Sequence, residues 1–216
     1  MTAIQNLLRP KIVAICALCC GVAVIRANGA QTGWFLNGEV GPSFVNDMSL
    51  VSTTQLTPEP EPRFQRITTR LSFKTGVRVD LNGGYQFDDS WALELEGGFI
   101  CNSVDFSNSG QAAARSLYQI PLLLNGIYTL PVKWPVKPYV GAGLGGELTG
   151  LNGFHDSAGA GQLMAGLKFQ MSPRINLGLG YKLLVTTKHD WSNFFDASQT
   201  GRTINNSLLA NITVRF

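Results

Sequence analysis

The chain has 216 residues with 17 Lys+Arg, 14 Asp+Glu, 24 Gly and 4 Cys, and only 14% of it is charged. So little charge beside 44% hydrophobic residues excludes a disordered chain and argues against an ordinary water-facing surface. Arg9, Lys11 and Arg26 lie in a first stretch without acids; setting those three aside leaves 14 basic against 14 acidic residues. A neutral remainder gives no general electrostatic reason to bind nucleic acid.

Residues 1–30 read as an export signal. Arg9 and Lys11 precede the apolar run Ile12 to Ile25, and Ala27, Gly29 and Ala30 follow as small residues. The run is shorter than the about 18 apolar residues that a helical membrane span needs, so removal of the segment near Ala30 is expected. Cys16, Cys19 and Cys20 leave with it, and Cys101 remains as a small hydrophobe that can form neither an internal disulfide nor a zinc site.

From residue 31 to 216 the dominant period is two, the period of β-strands. The first segment sets Trp34, Leu36, Gly38 and Val40 against Asn37 and Glu39. In the second, Leu71, Phe73, Val77, Val79, Leu81 and Tyr85 face away from Ser72, Lys74, Arg78, Asp80, Asn82 and Gln86. The third sets Trp91, Leu93, Leu95 and Phe99 against Glu94 and Glu96. The fourth sets Tyr118, Ile120, Leu122, Leu124 and Tyr128 against Gln119 and Asn125, with Leu123 and Ile127 blurring the polar face. In the fifth, Val140, Ala142, Leu144 and Leu148 oppose Gly141, Gly143, Gly145 and Glu147. The sixth opposes Leu163, Ala165, Leu167 and Phe169 to Gln162, Gly166 and Lys168, and the seventh opposes Ile175, Leu177, Leu179, Tyr181 and Leu183 to Asn176, Gly178, Gly180 and Lys182. The last opposes Leu208, Ala210, Ile212, Val214 and Phe216 to Ser207, Asn211, Thr213 and Arg215. Eight strands are predicted.

Long connections at about Asn46–Thr69, Asn102–Leu117, Thr149–Ala160 and Thr186–Asn205 alternate with shorter ones at Asp88–Ser90, Leu130–Pro138 and Ser172–Pro173. That rhythm fits long loops on one side of a bilayer and turns on the other. Two aromatic belts follow from the same placement: Trp34, Tyr85, Phe87, Trp91, Tyr128, Phe169 and Phe216 near the turns, and Phe44, Phe73, Phe99, Tyr118 and Tyr181 toward the loops. The expected fold is all-β: an eight-stranded antiparallel up-and-down transmembrane β-barrel.

The stretches Tyr118 to Asn125, Pro138 to Gly145 and Asn211 to Phe216 resemble the small outer-membrane β-barrel family, the OmpA-barrel, OmpX and Opa-type proteins often labelled porin family. The resemblance implies a place in the Gram-negative outer membrane, in contact with its lipid and lipopolysaccharide, and no single biochemical activity. It also implies that Phe216, closing an alternating strand, is the signal read by the outer-membrane assembly machinery.

Other motifs carry less. Gly141 to Gly146 spells G-x-G-x-x-G, but the glycines lie inside an alternating strand with no helix to meet a pyrophosphate, so no cofactor is expected. His155-Asp156-Ser157 is similar to the His-x-Ser arrangement of outer-membrane lipid hydrolases, yet it falls in an expected loop, Ala158 follows, and no partner acid is evident. No catalytic or metal-binding residue is assigned. Glu39, Arg78, Asp80, Glu94, Glu96, Glu147, Lys168, Lys182 and Arg215 are expected to form a polar network filling the lumen. The Pro58-Glu59-Pro60-Glu61-Pro62 run reads as a stiff solvated extension. Trp191, Phe194 and Phe195, near Lys188 and His189, are the expected contacts for an extracellular ligand. The expected function is a non-enzymatic envelope or surface-recognition barrel, with a narrow pore and a lipid-modifying hydrolase as alternatives.

Overall fold

The computed structural model describes residues 32–55, 64–105, 115–151, 154–190 and 200–216. The strands among them are β1 (Gly33–Val45), β2 (Met48–Gln55), β3 (Phe64–Phe73), β4 (Gly76–Gln86), β5 (Trp91–Asp105), β6 (Arg115–Thr129), β7 (Val136–Leu151), β8 (Phe154–Gln170), β9 (Ile175–Asp190) and β10 (Thr200–Arg215). Eight of them close a ring, β1-β4-β5-β6-β7-β8-β9-β10 and back to β1, every pairing antiparallel. A closed antiparallel ring has no edge strand, which satisfies every backbone polar group where a bilayer offers none. No helix of the described residues is long and apolar enough to cross a membrane, a statement that does not bear on crossing by strands.

Period two decides what each face meets. Leu81, Leu144, Leu163, Leu179 and Ile212 point outward and are exposed, while Arg78, Asn82, Glu96, Gln119 and Asn125 point inward and are fully buried. The usual order of a globular protein is inverted, as a hydrocarbon solvent requires. Rings pack edge to face on the outside near the short turns, Trp34 on Tyr85 at 5.2 Å and Tyr85 on Phe87 at 5.3 Å, with Trp91 tilted beside Tyr128 at 4.9 Å. Phe99 and Tyr118, 5.9 Å apart, lie toward the other end.

The short turns are held by side-chain acceptors. Asp88 Oδ1 accepts from the backbone N–H groups of Ser90 and Trp91, both at 2.7 Å, and Ser172 Oγ accepts from those of Arg174 and Ile175. Such local bonds are why Asp and Ser favour turns.

Several expectations need correction at the loop end. The first connection is not a loop throughout, because β2 and β3 pair as a hairpin from Met48↔Leu71 to Gln55↔Phe64. It extends β1 and β4 beyond breaks at residues 46–47 and 74–75, pairs with the ring through Ser72 and Phe73 against β5, and also lies against β10. The Pro58 to Pro62 run lies outside the described residues. The stretch 149–160 is also strand: β7 and β8 pair as far as Leu151↔Phe154. Likewise β9 runs to Asp190 and β10 starts at Thr200. Between His155 and Gly159 neither face is buried, so apolar alternation is lost there. Cys101 is half-buried and shares the outward parity of Phe99, so it is not a core residue. Residues 1–30 lie outside the described residues.

Candidate functional site

The strand register brings the inward charges together. Asp80 on β4 lies opposite Glu39 on β1, and Asn82 lies opposite Glu96 on β5. Arg78, two residues from Asp80 on the same face, turns its guanidinium along the wall: Nε donates to Asp80 at 2.8 and 3.0 Å and Nη2 to Glu96 Oε1 at 2.5 Å. A second Nη2 bond reaches Gln162 Oε1 on β8 at 2.7 Å. Lys182 Nζ on β9 meets Glu39 at 2.6 Å, Glu96 at 2.8 Å and Asp80 at 2.9 Å.

Two of these contacts span the barrel. In the ring, β5 and β9 stand four strands apart in either direction, as do β4 and β8. The Lys182–Glu96 and Arg78–Gln162 bonds therefore cross the lumen at its full width. Glu96 Oε2 also accepts from Asn125 Nδ2 at 2.7 Å and Gln162 Nε2 at 2.9 Å. Glu94 joins through Asn125 at 3.3 Å, and Glu39 through Asn37 at 2.7 Å. Charges withdrawn from water this far need both opposite partners and hydrogen bonds, and this cluster supplies them at every charged group, leaving the Arg78 Nη1 atom without a bond of its own.

A layer of amides and hydroxyls around Glu147 lies above, toward the loop end. Gln119 Nε2 donates to Glu147 Oε1 at 2.8 Å, and Thr149 Oγ1 donates to the same oxygen at 2.6 Å. Asn205 Nδ2 on β10 reaches Ser43 Oγ at 2.8 Å and Gln119 Oε1 at 3.2 Å, a third crossing since β6 and β10 are also four strands apart. Ser43 Oγ in turn donates to Asn102 Oδ1 at 3.1 Å.

The nine charged residues expected in one network are thus divided. Glu39, Arg78, Asp80, Glu96 and Lys182 form the central cluster and Glu94 adjoins it. Glu147 belongs to the layer of amides and hydroxyls above it. Lys168 and Arg215 lie at the turn end around a small polar cavity of about 20 Å³ shared with Gln86, Asp89 and Lys137; Lys168 Nζ sits 4.7 Å above the Tyr139 ring. The sequence reading missed Gln162 and Asn125, the amides that bridge the charges, and Asn205 in the layer above, although the inward parity of Gln162 and Asn125 was the available signal.

Gly143 lets this packing close. A Cβ there would fall 1.8 Å from Asn125 Oδ1, the side chain that carries Glu94 and Glu96. The G-x-G-x-x-G run lies within β7, and no helix occurs among the described residues. His155 and Ser157 lie on β8 rather than in a loop, on one face of the strand with Asp156 on the other, so the strand itself does not align an acid behind the histidine. Among the described residues no group of three or more His, Cys, Asp or Glu could hold a metal ion. Phe216 has its ring exposed, and its N–H donates to the Trp34 carbonyl at 3.0 Å. Trp191, Phe194 and Phe195 lie outside the described residues.

The model of the family described as outer membrane protein beta-barrel domain matches residues 12–216. No curated relative matches the chain. Among solved structures, Neisserial surface protein A (NspA) is 16% identical, with a TM-score of 0.51 over 85% of this chain and 97% of that one. The outer membrane protein OprG from Pseudomonas aeruginosa is 14% identical, with a TM-score of 0.55 over 88% of this chain and 100% of that one. The outer membrane protease OmpT from Escherichia coli is 7% identical, with a TM-score of 0.49 over 89% and 99%. At such identities the likeness shows the fold alone.

Proposed function

Since the chain belongs to the family of outer membrane protein β-barrel domains, a family of the bacterial outer membrane, we propose that it is a sealed, non-enzymatic barrel whose hairpins serve envelope integrity or surface recognition. The observation that carries this reading is the Lys182–Glu96 contact of 2.8 Å between opposite walls of the ring, with both side chains at most 2% exposed. A solute would have to break that contact and the Arg78–Gln162 bond together, at the cost of buried unpaired charge.

What is not needed for sealing is the length beyond the crossings. The β2–β3, β7–β8 and β9–β10 hairpins continue past Glu147 and Asn205 at the loop end. Loops and hairpins on a rigid scaffold are where binding tends to reside. Trp191, Phe194 and Phe195 are the side chains we assign to that contact, because large aromatics near basic residues are common interface anchors. Phe216 is assigned to the assembly machinery.

Two measurements test the proposal. Single-channel recording in planar bilayers should give no steady conductance for the native protein, and steps above the lipid background would refute a sealed lumen. Replacing Trp191, Phe194 and Phe195 together by Ser should reduce adhesion of expressing cells to a matrix or host surface while the barrel keeps its heat-modifiable gel mobility. Unchanged adhesion on every surface to which the native protein attaches cells would remove these three residues from the reading.

A further inference from the structure

Cations gather at the turn end of the lumen. Lys137 on β7 and Lys168 on β8 are register partners, and both have inward parity. Like charges set directly opposite each other across a strand pair are unfavourable by themselves and favourable around an anion. Water would relieve the pair if both side chains left the mouth, but Lys168 turns in: its Nζ sits 4.7 Å above the ring of Tyr139, which is buried. The negative face of that ring holds the ammonium at the mouth. Arg215, the inward residue at the end of β10, completes a group of three.

All three cations line the small cavity at the turn end, of about 20 Å³. Gln86, Thr129 and Asn176 line it too and are buried, so amide and hydroxyl dipoles stand beside the charges. These polar groups come from β4, β6, β7, β8, β9 and β10, strands that converge only because the ring closes. The lining carries one acid, Asp89, which attracts Arg215 at the rim, while Glu94 attracts Lys168 from the charged layer. Three cations against one acid leave the lining positive. Since about 10–15 Å³ is enough for one water, the cavity takes one or two atoms of oxygen size and no larger group whole.

We propose that the turn end of the lumen binds a carboxylate carried by a soluble molecule of the periplasm. The two oxygens enter between Lys137 and Lys168, with Arg215 as the third donor, and the rest of the ligand stays outside the mouth. Planarity favours a carboxylate over a phosphate, because two oxygens fit the volume and a tetrahedral group does not. The lumen-facing parity of the three cations favours a soluble ligand over a lipid headgroup, which would approach the outward face. That the mouth faces the periplasm rests on family membership, since the short turns of such barrels lie on that side. The site is independent of the sealing contact between Lys182 and Glu96 and of what the hairpins recognise.

The test is an NMR titration of the full chain folded in an uncharged detergent, at an ionic strength held constant with sodium chloride. The probes are acetate, tri-alanine, tri-alanine with an amidated C-terminus, and inorganic phosphate. Acetate and tri-alanine should move the backbone amides of Gln86, Lys137, Lys168 and Asn176 saturably, and amidated tri-alanine should leave them in place. Lys137→Gln and Lys168→Gln should each weaken acetate about tenfold, the scale of one charge-assisted hydrogen bond. Lys133→Gln, at an exposed lysine in the turn before β7 and outside the lining, should leave the affinity unchanged. Equal losses from all three substitutions, or shifts that spread over the surface without saturating, would mean general screening of positive charge, and the site would fall. Tighter binding of phosphate than of acetate at the same amides would overturn the carboxylate assignment. Binding of acetate without tri-alanine would overturn a ligand that extends beyond the mouth. Should Lys168→Gln not fold for want of its contact with Tyr139, Lys137→Gln decides alone, because Lys137 is only half-buried.

Discussion

Two kinds of layer fill the same lumen. Along β8 the inward positions run Ala160, Gln162, Met164, and along β5 they run Ala92, Glu94, Glu96, Gly98, Ile100. The charged layer around Glu96 and Lys182 therefore lies between an apolar cluster of Ile100, Leu123, Ala160 and Leu184 and another of Phe35, Ala92, Ile127, Tyr139 and Met164. The apolar layers close by size and shape, with Tyr139 seated over Gly166 and Gly180, where a Cβ would come within 2.6 Å of the ring and 2.5 Å of its hydroxyl. The charged layer closes by long side chains that meet across the diameter. A narrow barrel can be sealed either way, but the two layers fail differently. Apolar packing loses stability in proportion to the volume removed, whereas a charge cluster loses it when one partner is left alone.

The largest effect belongs to the charged layer. Arg78→Ala leaves Asp80 and Glu96 with less positive charge than they were folded around, and should cost about 3–5 kcal/mol by urea unfolding in vesicles. A change under about 0.5 kcal/mol, the range of surface substitutions, would mean that water screens the cluster as in an open channel. In the apolar layer, Leu123→Ala should cost about 2–5 kcal/mol, nearer the lower figure if the layer collapses around the vacancy. A loss from Leu123→Ala well above that from Arg78→Ala would reverse the ranking of the two layers.

Smaller effects test the fit between them. Gly143→Ala should cost about 1–3 kcal/mol, since its Cβ would displace Asn125 from the two glutamates it serves. Gly161→Ala, on the neighbouring strand but outward, should stay within about 0.5 kcal/mol, because its Cβ meets only ordinary contacts. Equal costs at the two glycines in the same unfolding experiment would mean that backbone freedom, rather than room in the lumen, sets their identity.

The alternation between residues 71 and 87 was readable because its two faces meet different solvents: Val77, Val79 and Leu81 meet lipid, and Arg78, Asp80 and Asn82 meet the lumen. Where neither face is buried, as in His155 to Gly159, the same strand geometry leaves no pattern, and a loop was expected instead. Leu123 and Ile127 looked like breaks in the polar face of β6. They are instead members of the two apolar layers, which only the neighbouring strands reveal.

The sequence by itself determined the eight strands of the ring, their inside and outside and the antiparallel winding, because period two and short turns are local properties of the chain. The tertiary structure decided which inward residues meet. Lys182 and Glu96 are 86 residues apart, and they are partners only because ring closure puts β5 opposite β9. The end of the β8–β9 pairing at Ala160 and Thr186 was likewise invisible in the chain, since it depends on where two long hairpins part company, and register between distant strands is set by closure and twist rather than by either segment alone.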